Sequence, residues 1–166
     1  MRCMITGLVL ATIATAAAAQ DSKWGFYEPG DGTMQAGVVA TSGEQLIVKC
    51  DKPGKRSVLA VVVSNVSIAP PLPDNRWQTR PVTVRIDQDP PFDAAWRYND
   101  KFAMAVDQGN TRSLTRLLEQ LADAKTVDVR LKPIEHSQYN TTFNVAGARE
   151  AIAKVYSDCG DTNPLG

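Results

Sequence analysis

Three carboxylates crowd one short stretch, VRIDQDPPFDAAW (84–96), where Asp87, Asp89 and Asp93 stand with two prolines and Trp96. Such a cluster suits a cation loop, a proton-transfer pair or a strand reversal. A calcium loop needs oxygen ligands at alternate positions, a glycine at the bend and a distal glutamate. Here two prolines follow Asp89 and no glycine is present. A glycosidase pair needs two carboxyls facing each other across a sugar, one of them in an apolar setting. Asp87 instead falls on the outward register of an alternating strand and Asp89 in a turn. The cluster therefore reads as a strand reversal, because aspartate accepts bonds from nearby amides and Pro90 and Pro91 end strand pairing.

The other polar candidates are sparse. His136 is the only histidine, beside Glu135 in the polar connector KPIEHSQYN. It has no second histidine for a metal site, and no Gly-x-Ser-x-Gly elbow supplies a nucleophile. No metal and no cofactor is expected. A basic turn at Lys49, Lys52, Lys55 and Arg56 is interrupted by Asp51 and reads as a solvated hairpin end. In the proline-rich stretch APPLPDNRWQTRP (69–81), Trp77 stands with Arg76 and Arg80, the residue types that dominate binding hot spots. Trp77 could equally pin that stretch to a sheet. Trp24 and Trp96 lie on strand patterns and read as core.

Elements must position these groups, and the chain opens with a segment that reads as none of them. Residues 1–19, MRCMITGLVLATIATAAAA, have a basic start, an apolar middle and an Ala-x-Ala end before Gln20, the build of a secretory signal peptide. No later stretch is expected to span a membrane. Residues 20–166 then form a single expected globular domain of ordinary size. Without Arg2 the basic and acidic residues number 17 and 18. A near-neutral chain offers no long-range field for nucleic acid. Cys50 and Cys159 are the two cysteines left after the leader, and an even count in an exported chain predicts a disulfide. Alternation in QLIVKC and helical spacing in AREAIAKVYSDC turn both toward the core.

Strands are expected at 34–41 and 45–50, joined by a Ser42-Gly43 turn, with SVLAVVVSN as a third strand in the middle of a sheet. Residues 69–81 read as a long loop. VTVRID, AAWRY and FAMAV follow as strands, then an amphipathic helix through Leu114, Leu117, Leu118 and Leu121, capped by Asn110 or Thr111. Strands at 127–131 and 141–145 and a closing helix from 147 to 159 complete the chain. Strands and helices that do not alternate predict α+β: a mainly antiparallel, sandwich-like sheet core with two amphipathic helices and one disulfide.

Trp24, SGEQLIVKC, VTVRIDQDPP with Trp96, the leucine helix and TTFNVAGAREAIAKVYSDC occur in an order that resembles small periplasmic proteins associated with type VI secretion systems. Phe143, Val145, Gly147, Ala151, Ile152, Val155 and Cys159 carry the most specific part of that likeness. It implies a shared fold and a bacterial periplasmic or secreted location. The expected function is that of a non-enzymatic binding or accessory protein of the cell envelope, its partner an envelope protein or secretion-apparatus component. Trp77, Arg76, Arg80, Asp87 and Asp89 form the candidate surface. The competing expectation is a carboxylate-dependent hydrolase of envelope polymer acting through Asp87, Asp89 or Glu135.

Overall fold

The computed structural model describes residues 24–28, 34–50, 57–73, 76–134 and 137–166. Eleven strands and two helices occur among them. β1 is Gly25–Tyr27, β2 Gln35–Val39, β3 Gln45–Cys50, β4 Val58–Val63, β5 Gln78–Ile86 and β6 Phe92–Asn99. β7 is Phe102–Ala105, β8 Asp107–Gln108, β9 Thr111–Arg112, β10 Thr126–Leu131 and β11 Tyr139–Asn144; α1 is Ser113–Leu121 and α2 Ala148–Cys159. Residues 1–19, Lys52, Lys55, Arg56, Glu135 and His136 lie outside the described residues.

Nine strands form one sheet in the order β1-β2-β3-β4-β7-β6-β5-β10-β11, every neighbouring pair antiparallel. Period-two alternation sends Val38, Leu46, Val48, Ala60, Val62, Val82, Val84, Trp96, Tyr98, Val127 and Phe143 to one inner face, where they join a single core. Both helices pack on that face: α1 against β6 and β7, α2 against β2, β3 and β4. The sheet curls until β11 meets β2, so the architecture is α+β and sandwich-like. α2 stops at Gly160, whose φ of 64° permits the left-handed cap. No helix among the described residues is long and apolar enough to cross a membrane.

The disulfide forms as expected. Cys50 and Cys159 are joined with Cα atoms 5.8 Å apart and stand 109 positions apart in sequence, fastening the end of α2 to β3. Trp24 closes the opposite end, its indole N–H donating to the Val145 carbonyl at 3.2 Å. Trp96 is 1% exposed, a core residue as its strand pattern predicts.

Three expectations are corrected. The proline-rich stretch is not a loop through Pro81, because β5 begins at Gln78 and contains Arg80 and Pro81. Pro81 sits one position before the first β5–β10 pair, Val82 with Leu131, so its missing amide interrupts no established ladder on that side. The β2–β3 connection is longer than a Ser42-Gly43 pair: Gly43, at φ 96°, donates to the Ala40 carbonyl, and Ala40 pairs with Glu44. Nor do Asn110 and Thr111 cap α1. Residues 107–112 form a small hairpin, and Asp107 reaches from it to accept the amides of Leu114 at 2.9 Å and Thr115 at 3.1 Å. That carboxylate satisfies two of the four orphan N–H groups of the first turn from outside the helix.

Candidate functional site: a groove beside Trp77

The acidic turn is built as a turn. Asp87 takes a left-handed conformation, φ 46°, which aspartate tolerates better than most residues. The Asp89 amide then donates to Ile86 O at 2.9 Å and closes the reversal. The Asp87 carboxylate accepts from the amides of Thr126 at 2.7 Å and Lys125 at 3.0 Å, and from the Thr126 hydroxyl. The Thr126 amide above all holds its pKa below the usual carboxylate range. A general acid needs the opposite shift. Asp93 is engaged as well, accepting from Thr83 Oγ1 at 2.7 Å. Among the described residues no group of three or more His, Cys, Asp or Glu could hold a metal ion.

The structure separates the residues that the sequence grouped. β5 is nine residues long, so Trp77 and Asp87 at its two ends stand roughly 30 Å apart at about 3.3 Å per residue. The acidic turn and the proline-rich stretch are therefore not one surface. Arg80 belongs to neither: it shares the inner register of Val82 and Val84, and its Nη2 donates to the Lys132 carbonyl at 3.3 Å. Arg76 is exposed at the start of the strand. Asn99 ties the stretch down, donating to the carbonyls of Leu72 at 3.3 Å and Arg76 at 3.0 Å and accepting the Leu72 amide at 3.1 Å.

Trp77, half-buried, helps wall a groove of 790 Å³ at the end of the sheet. Its floor includes Leu59 and Met104, and Arg97, Arg112, Tyr156 and Pro164 border it. The positions follow from register. Arg97 lies opposite Met104 and Thr79, on the outer face, so Trp77, two residues before Thr79, falls on the same side. Burial pushes the Tyr156 hydroxyl's pKa upward, and the nearby Asp161 and Asp107 charges add to it.

The outer face of the sheet is divided in two. On β5, β10 and β11 it is polar, with Arg85 paired to Asp128 and Asp128 also accepting from Thr142 at 2.6 Å. Burial works to raise the Asp128 pKa, but the bonds from Thr142 and Arg85 and the nearby positive charges hold it low. On β4 and β7 it is apolar, and Val39 and Ile47 extend that patch onto β2 and β3 between the polar Gln35, Gln45 and Lys49. Register places Gly37, Ile47, Val61 and Met104 in one row and Val39, Gln45, Val63 and Phe102 in the next. Val61 and Met104 are buried yet stand apart from the inner core, while Val39 and Phe102 are 62% and 42% exposed. Neither helix packs there.

A buried acid escaped the sequence reading altogether. Glu44 is 4% exposed and accepts from Ser42 Oγ, Tyr139 Oη, Asn65 Nδ2 at 3.0 Å and Thr141 Oγ1 at 3.3 Å. Burial works to raise its pKa, but the hydrogen bonds of Ser42 and Tyr139, with others, outweigh it and hold the carboxyl below its ordinary value. Four donors around one carboxylate make a structural latch between the β2–β3 turn and β11.

Fold and surface thus define an α+β protein with one curled antiparallel sheet, a disulfide-tied helix and a groove at the sheet's end. Residues 22–152 match the YfjT family model, and the chain belongs to the YfjT family. Comparison with curated proteins and with solved structures found no match. The family description carries no link to a secretion system.

Proposed function

We propose that this chain is an exported, non-enzymatic binding or accessory protein of the bacterial cell envelope, acting in the periplasm or after secretion. Its partner is an envelope protein or a component of a secretion apparatus, the type VI kind being the one its sequence resembles. The observation that carries this reading is an apolar patch of the outer face, Val61, Val63, Phe102 and Met104 on β4 and β7 with Val39 and Ile47 at its margin, and Trp77 lining the same groove as Met104. Val39 and Phe102 are 62% and 42% exposed on a face against which neither α1 nor α2 packs, and exposed apolar side chains grouped on one face mark an interaction surface. The candidate surface therefore moves to Trp77 and this face, while Asp87 and Asp89 serve the turn. The hydrolase alternative gains no support from Asp87, whose carboxylate is committed to backbone amides.

The test is capture of envelope proteins by the purified exported chain, set beside the variants Trp77→Ala and Phe102→Asp and the polar-face variant Arg130→Ala. A partner retained by the wild type and by Arg130→Ala, and lost by the other two, supports the reading. Equal capture by all four overturns it.

A further inference from the structure

Two arginines of this molecule meet carboxylates, Arg85 with Asp128 and Arg149 with Asp123, while Arg80 and Arg130 donate to neutral oxygens. The two in the groove meet no carboxylate among the described residues. Arg97 Nη2 donates to the neutral Gln108 Oε1, and Arg112 Nη2 to Thr115 Oγ1 at 3.4 Å. A guanidinium carries five N–H donors in a planar fork, and among the described residues these two commit one bond each to the protein. Two carboxylates, Asp107 and Asp161, also border the groove and offset part of the guanidinium charge, but their oxygens already accept hydrogen bonds. Asp107 accepts the Leu114 and Thr115 amides and the Thr115 hydroxyl. Asp161 accepts the Val58 amide at 3.2 Å and the Thr162 amide at 2.7 Å. Because Asp107 already caps α1, any pull on an anion comes from the guanidinium forks rather than from the helix end.

We propose that the groove binds an organic anion, a carboxylate carried on an apolar body. The carboxylate meets Arg97 and Arg112, and the apolar body lies on Leu59, Met104 and Trp77. Arginine rather than lysine suits this role, because its fork matches both oxygens of a carboxylate. The volume of 790 Å³ falls in the range of roughly 300–1,000 Å³ typical of small-ligand sites. The inference rests on the reading that the Trp77 face is the binding face, and it deepens that reading by naming what the face holds. Two sources share this chemistry: a free fatty or aromatic acid, and the C-terminal carboxylate of a peptide ending in an apolar residue.

The experiment is a titration of the full exported chain, followed by heteronuclear NMR, with two matched pairs of probes. One is octanoate against octanamide; the other is a hexapeptide ending in Leu-Phe, free acid against C-terminal amide. Saturable binding is expected from at least one acid, with its amide weaker by roughly ten- to a hundred-fold, the worth of a charge-assisted contact. Whichever acid binds tighter identifies the source. Arg97→Gln and Arg112→Gln should each lower that affinity by a similar factor at an unchanged melting temperature, and Trp77→Ala should weaken acid and amide alike. Equal binding of acid and amide, no saturable binding of either acid, or full affinity in both arginine variants overturns the proposal. Envelope-partner capture separates the two levels: if Arg97→Gln keeps the partner and Trp77→Ala loses it, the binding face stands without the anion; if Trp77→Ala keeps the partner, the face itself fails.

Discussion

Replacing Glu44 with alanine removes the acceptor at the junction of the β2–β3 turn and β11. Ser42 and Asn65 are exposed and can turn to water. Thr141 is 4% exposed and Tyr139 half-buried, and the described structure offers their hydroxyls no acceptor other than Glu44. Each buried donor left unmet costs about 1–3 kcal/mol, so two of them, one only partly shielded, put the loss at roughly 2–4 kcal/mol. For a chain of this size that is a melting-point drop of about 6–12 °C, near 3 °C per kcal/mol. The pH dependence has a definite sign. The Glu44 pKa is depressed in the folded state from 4.5, so its contribution is complete above that unfolded value and is lost as pH falls through the folded one. Urea unfolding followed by circular dichroism should therefore show the full deficit of Glu44→Ala at pH 7 and a shrinking one in acid. Glu44→Gln, which keeps one acceptor oxygen, should fall between. A deficit under about 0.5 kcal/mol, the ordinary scale of a surface substitution, would refute the latch, and so would a deficit that grows as pH falls.

Other outcomes follow from the same geometry. Removing the Cys50–Cys159 bond, which closes a span of 109 residues, should cost up to about 4–5 kcal/mol by the chain-entropy estimate; a double Cys→Ser variant with an unchanged urea midpoint would contradict it. Asp87→Ala loses the acceptor for Lys125 and Thr126 and places a β-carbon at φ 46° without a compensating side chain. It should unfold about 1 kcal/mol more easily, and millimolar calcium should leave the wild-type melting temperature unchanged; a clear rise would mean that the turn binds the ion. Mass spectrometry of the exported chain should find its first residue at or near Gln20, and an intact leader would mean an anchored protein.

Much of the fold was legible because the core is written in period two. QLIVKC and VTVRID each expose which residues face inward, and the leucine spacing of α1 shows its buried stripe. What stayed hidden depends on contacts between distant segments. Glu44 in TSGEQ looks like a solvated turn acid, and only the curl of the sheet brings Tyr139 and Thr141 to it from 95 and 97 residues away. Asp107 reads as a loop acid until the hairpin it begins folds back over α1. Arg80 follows a proline-rich run, so its inward register is visible only once β5 is seen to start at Gln78. Arg97 and Arg112 stand on different strands, and no local pattern joins them to Trp77.

The central claim is that the apolar patch on the outer face of β4 and β7, with Trp77 beside it, is where this protein meets its partner. Its most direct test is photo-crosslinking in intact cells, with a benzophenone amino acid in place of Trp77 or Phe102 on that face and of Arg130 or Thr142 on the polar face. A discrete adduct with one envelope protein from positions 77 and 102, and none from 130 and 142, is the predicted result. Adducts confined to positions 130 and 142 would contradict it.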